Sequence, residues 1–222
     1  MRIVQTEYGE FPEISHLNKR FVPGRKKQKI TLDVLSSRER YQQVYPKILD
    51  QFNEFFPSLR HHDCCYQGSS PEKRGYSFNG PFKQFSGIID VVHIIEHVVI
   101  DLQCSISRMP ICSGITCHYW EPANRFDIFV ECIDENVGLF SGLLAVDMIK
   151  TLLDKERLDP NYRKIVSLAK FLYQDSYLIE ALTEIPLHLG WSLQSVGLTI
   201  NELIRFKFLT PKPAVLRVEP IG

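Results

Sequence analysis

Apolar residues recur along this chain at two spacings, and the spacing assigns the elements. In SSRERYQQVYPKILDQFNEFF, Tyr41, Val44, Ile48, Phe52 and Phe55 return every three or four positions. That predicts an amphipathic helix capped by Ser36 or Ser37, with Pro46 weakening it locally. DVVHIIEHVVIDLQ is apolar nearly all round and predicts a helix over 87–105. ENVGLFSGLLAVDMIKTLLDK predicts a long apolar helix, in which Gly138 and Gly142 permit close packing against another element. RLDPNYRKIVSLAKFLYQ predicts the next helix, with Asp159 as N-cap and Pro160 as first residue. SLQSVGLTINELIRFKFL predicts one short helix before a proline-rich end.

Strand spacing is found elsewhere. KITLDV and RFDIFVECI read as strands, and RMPICSGITCHYW as strand and turn broken at Pro110 and Gly114. HHDCCYQGSSPEKRGYSFNG, residues 61–80, clusters Ser, Gly and Pro and reads as loop. Its HHDCC has the composition of a metal binder, although a plain loop or strand end explains it as well. The order predicts an α+β domain over residues 30–180: a mostly antiparallel sheet with helices packed on one face. Residues 1–29 read as an irregular N-terminal segment, and 181–222 as a C-terminal helical extension and tail.

The stretch from Asp90 to Gln103 changes the picture. His93 and His97 are four apart, so on a helix they share one face, with Glu96 leaning the same way. The pattern is H-x-x-E-H, the inverted zincin signature. Two imidazoles one turn apart can hold one zinc ion, and a carboxylate beside a metal-bound water can serve as its general base. Asp90, His93, His97, Asp101 and Cys104 form a polar stripe, which faces either open solvent or a polar cavity. A catalytic zinc wants a third protein ligand. Glu131, Asp147, Asp154, Glu156 and Asp159 are candidates, and spacing singles out none of them.

Composition narrows the partners. The 222 residues carry 26 basic and 26 acidic side chains, so no nucleic-acid or membrane-surface partner is expected. The start lacks the basic and apolar regions of a signal peptide, and no apolar run suggests a membrane span. Six scattered cysteines without a C-x-x-C pair fit free thiols in a cytoplasmic protein. A homodimer is a reasonable expectation for a small domain with large apolar helices.

HIIEHVVIDLQ resembles a helix in the N-terminal domain of cyanophycin synthetase. FFPSL before it, and FVECIDENVGLFSGLLAVDMI and RLDPNYRKIVSLAKFL after it, resemble that family in the same order. The likeness runs from Ile30 to Asp175 and is strongest from His93 to Ile149. It implies a pitrilysin-like two-layer sandwich and a peptide or polymer as binding partner. In some members the domain resembles a zinc peptidase that cuts the polymer. His93 and His97 would then hold Zn2+, and Glu96 would activate the water. The family's polymerising ATP-grasp and ligase domains have no counterpart here, and no G-x-x-x-x-G-K loop is present, so polymer synthesis is not expected.

The resemblance also shows departures. The family's third ligand is a glutamate early in the helix after the glycine-bearing one, and the matching positions fall near Asn161 and Arg163. Asp159 would substitute there if the helix started slightly differently, and Glu131 is the other candidate. The family's arginines beside a threonine matching Thr116 are replaced by Ile115 and Cys117, with His118 next. His118 or Cys117 could complete a different metal shell. Three functions remain open: a stand-alone zinc peptidase or amidohydrolase, a catalytically degenerate binding or partner domain, and histidines satisfied without metal.

Overall fold

A computed structural model describes residues 1–35, 38–61, 63–64, 76–77, 88–155, 157–175 and 184–210. Its frame is a four-stranded antiparallel sheet in the order β1-β2-β6-β5. The strands are β1 (Arg2–Gly9), β2 (Lys27–Asp33), β5 (Gly114–His118) and β6 (Arg125–Glu131). A separate two-residue pair joins β3 (Asp63–Cys64) to β4 (Tyr76–Ser77). The helices are α1 (Arg38–Phe55), α2 (Ile88–Ser107), α3 (Glu135–Lys155), α4 (Asn161–Gln174), α5 (Ile185–Leu189) and α6 (Leu193–Arg205). The α+β class, the antiparallel sheet and the helical layer agree with the sequence pattern.

Strand alternation sorts the sheet into two faces. Ile30 and Leu32 of β2 and Phe126, Ile128 and Val130 of β6 are buried in the main core with the helices. α2 packs on β5 and β6, and α3 packs on β2 and β1. α3 comes close because of its small residues: a Cβ on Gly142 would meet Ile30 Cδ1 at 2.5 Å. The opposite face carries Phe129, which with Ile14 and Phe21 forms a second small cluster under the N-terminal segment. α3 has the length and hydropathy to cross a membrane, but most of it is buried against the rest of the domain.

Several expectations need correction. Residues 1–29 are not irregular: they contain β1 and a short 3-10 turn at Pro12–Ile14. β1 pairs along β2 through its backbone, yet no face of it is fully buried, so it leaves little period-2 signal in the sequence. α1 continues through Pro46, whose side chain lies on the exposed face of the helix. The cap residues Ser36 and Ser37 lie outside the described residues, as does most of the loop at 61–80. α4 starts one residue later than predicted, at Asn161, with Pro160 as the N-cap. Asp159 still serves the helix start, where its Oδ1 accepts from the Asn161 N–H at 2.9 Å. The short helix α5 was not foreseen.

One ion-pair cluster pins the sheet's far end and sets a pH dependence. Asp33 accepts from Arg125 Nε at 2.8 Å and from Arg2 Nη2 at 2.9 Å. Those hydrogen bonds, Arg125 foremost, hold its carboxyl at about 2, below the usual carboxylate range. A depressed folded value stabilises the fold above the unfolded carboxyl range, and that contribution is lost as pH falls toward 2. Thermal melts of wild type and Asp33→Asn should therefore differ most from pH 5 to 7 and converge between pH 4 and 2. A gap that stays constant down to pH 2 would contradict the assignment.

Candidate functional site

The site forms where α2 lies under the edge strand β5. α2 is built of Val, Ile and Leu that bury on several sides at once; Val91, Val92, Ile95, Val98, Val99 and Leu102 are fully enclosed. Of its polar stripe, the described side chains of His93, His97, Asp101 and Cys104 are buried or half-buried. Glu96 is 4% exposed, His97 3% and Asp101 7%, while His93 is partly open. Asp101 accepts a short hydrogen bond from the Ser58 hydroxyl.

The two histidines do converge. Their Nε2 atoms are 3.1 Å apart, with the rings nearly perpendicular at 87°. Two imidazoles on one tetrahedral zinc, each at about 2.05 Å, hold their nitrogens about 3.3 Å apart. The pair is therefore spaced as a half-site for a shared ion. The same distance also suits an N–H of one ring donating to the bare nitrogen of the other.

Glu96 is committed elsewhere. Its Oε2 accepts from the Thr116 hydroxyl at 2.6 Å and lies 3.3 Å from His93 Nδ1. Burial alone would push this carboxyl up. The charge and hydrogen bond of His93, then His97 and the Thr116 hydroxyl, outweigh it and hold the carboxyl below its usual range. Gly114 makes the approach possible: a Cβ there would sit 2.9 Å from both Cγ and Oε1 of Glu96. Gly114 and Thr116 had no assigned part in the sequence reading as partners of Glu96. Only the packing of β5 on α2 brings them to it.

The proposed third ligands go to other places. Glu131 points to the sheet face opposite α2, because it alternates with Ile128 and Val130 along β6. There its carboxylate accepts from the Val22 N–H at 2.5 Å and the Ser113 N–H at 3.1 Å, with Arg25 at 3.4 Å. Asp159 is exposed at the start of α4, on a cavity of about 860 Å³ shared by α3, α4 and α6. Asp147 lines the same cavity, bound by Tyr162 and Arg205. Asp154 is exposed, and Glu156 lies outside the described residues. Asn161 is exposed, and Arg163 sits over the Phe55 ring. His118 binds the Ala123 carbonyl at 2.7 Å and stacks on Phe126. Cys117 joins the small cluster on the opposite face, where burial pushes its thiol up to about 11.

The donor set fits a catalytic zinc only in part. His93 and His97 suit one ion, but among the described residues no three His, Cys, Asp or Glu side chains gather where they could hold a metal.

The cyanophycin synthase-like N-terminal domain model matches residues 29–154, more than half of the chain. The match runs from β2 to the end of α3 and includes His93, Glu96, His97, Gly114 and Thr116. No curated protein matches the chain. With that match, and the α2–β5 site inside it, the chain belongs to the cyanophycin synthase-like N-terminal domain family.

Proposed function

We propose that this chain is a non-catalytic binding domain of that family, which engages a peptide-like polymer without cutting it. The observation that carries the reading is the placement of Glu96. A general base for a water on a shared ion must lie on the Nε2 side of the histidines. Glu96 instead sits on the Nδ1 side of His93, sealed under Gly114 and hydrogen-bonded to Thr116. A carboxylate in that position fixes the tautomer and orientation of an imidazole. It is a positioning residue rather than a base. The polymer itself follows from the family resemblance: an acidic backbone decorated with arginine.

A second reading keeps the pitrilysin-like zinc peptidase, and the 3.1 Å between the Nε2 atoms favours it. His93 and His97 would hold the zinc, with a third ligand from outside the described residues.

One experiment separates the two. The full chain, purified without a histidine tag, is incubated with a labelled aspartate–arginine polymer. Binding is followed by fluorescence anisotropy, fragments by mass spectrometry, and bound zinc by elemental analysis. Saturable binding with intact polymer is expected from both wild type and Glu96→Gln. Fragments from wild type that vanish in Glu96→Gln, with stoichiometric zinc, would establish the peptidase instead. Neither binding nor cleavage would sink both readings for this polymer.

A further inference from the structure

Two lysines stand apart from the α2–β5 site, on the cavity of about 860 Å³ lined by α3, α4 and α6. That volume is within the range of small-molecule sites, about 300–1,000 Å³. At one end, Arg205 of α6 meets Asp147 of α3. Lys155 lies eight residues further along α3, about 12 Å from Asp147. Lys164 of α4 meets α6 at Ser195, ten residues or about 15 Å back from Arg205. Both lysines therefore line the cavity away from its Asp147–Arg205 end.

The charges on the lining are spent unequally. Arg205 holds Glu202 at 2.7 Å and Asp147 at 3.3 Å, and Asp147 also accepts from the Tyr162 hydroxyl at 2.8 Å. That end satisfies itself. Asp159 accepts the Asn161 N–H at 2.9 Å, and the Ser192 hydroxyl accepts the Ser195 N–H at 3.2 Å. The starts of α4 and α6 are thus capped from within and offer a ligand little. The lysines differ. Lys164 Nζ donates to the neutral Ser195 hydroxyl at 3.0 Å and stands 5.8 Å from the Trp191 ring. Lys155 has no hydrogen-bond or ion-pair partner among the described residues. Neither ammonium is matched by a carboxylate there.

We propose that this cavity binds a small hydroxyl-bearing anion, a phosphate ester or a hydroxy-carboxylate, with Lys155 and Lys164 on its anionic group. An ammonium is a compact charge with three donors, and it takes phosphate or carboxylate oxygens alike. Gln194 and Asn201 line the same space and offer amide groups to the ligand's hydroxyls. Among the described lining residues Tyr162 is the only aromatic, and it is 5% exposed. No ring face is therefore offered to a nucleobase, which sets nucleotides aside. The family match ends at residue 154, so both lysines and all of α4 and α6 lie beyond it. The site is separate from whatever the α2–β5 junction binds.

The test titrates the 15N-labelled full chain with glucose 6-phosphate, citrate and glucose at constant ionic strength, and follows the amide shifts. Saturable shifts at Lys155, Lys164 and Ser195 are expected with an anion and not with glucose. A response to the ester alone identifies a phosphate site, and a response to citrate alone a carboxylate site. Lys155→Gln and Lys164→Gln should each weaken binding roughly tenfold. Both side chains are exposed, so the rest of the spectrum should stay as in wild type. No saturable shift with either anion would overturn the proposal. So would shifts elsewhere on the chain, an equal response to glucose, or unchanged affinity in both variants.

Discussion

Phe140→Ala should cost about 3–5 kcal/mol of unfolding free energy, the largest loss expected from a single side chain here. Phe140 is fully buried in α3, at the centre of the main core. Its ring meets Phe206 at 6.3 Å and Phe208 at 5.0 Å, both edge-on. It is thus the point where the family-matched helix grips the chain beyond α6. Truncation removes the ring's own burial and leaves those two aromatics facing a void. Urea unfolding measures the loss. Hydrogen exchange adds a signature: α6 should lose protection more than β6 does. A loss below 1 kcal/mol would mean that Phe206 and Phe208 are not packed on α3 as described.

Glu131→Ala should cost about 3 kcal/mol, although Glu131 touches no ligand. Its carboxylate serves the Val22 and Ser113 N–H groups and Arg25. The Ser113 bond is buried, and a buried donor left without an acceptor costs about 1–3 kcal/mol; the part-buried bonds of Val22 and Arg25 add to the loss. Glu131→Gln keeps one oxygen and should lose about half as much. Amide exchange at Val22 and Ser113 should quicken in both variants. If Glu131 were instead a metal ligand, zinc content would fall in Glu131→Ala while those amides stayed protected.

These two residues show where the sequence was readable. α3 and α2 could be found from their own apolar spacing, because burial on several sides leaves a dense pattern. β6 was equally clear, and its alternation already contained the answer for Glu131. Phe126, Ile128 and Val130 share one face, so Asp127, Phe129 and Glu131 take the other. What spacing cannot say is which face α2 occupies, and without that Glu131 remained a candidate ligand. Glu96 was hidden in the same way. Its place in H-x-x-E-H suggested a base, but its orientation depends on Gly114 and Thr116, which reach it only through packing eighteen and twenty residues on. β1 was missed because its contribution is backbone pairing, and backbone pairing has no side-chain signature.

That first strand has a consequence for where the sheet ends. The family match begins at residue 29, inside β2, and leaves β1 outside. β1 is what makes β2 an interior strand, paired to β6 on one side and to residues 2–9 on the other. A fragment trimmed to the family boundary would present β2 as an open edge, a row of unsatisfied amides and carbonyls carrying Ile30 and Leu32. Such an edge recruits a second copy of itself. The N-terminal strand therefore moves the sheet's edge from β2, with its core-facing Ile30 and Leu32, to a strand with no fully buried face.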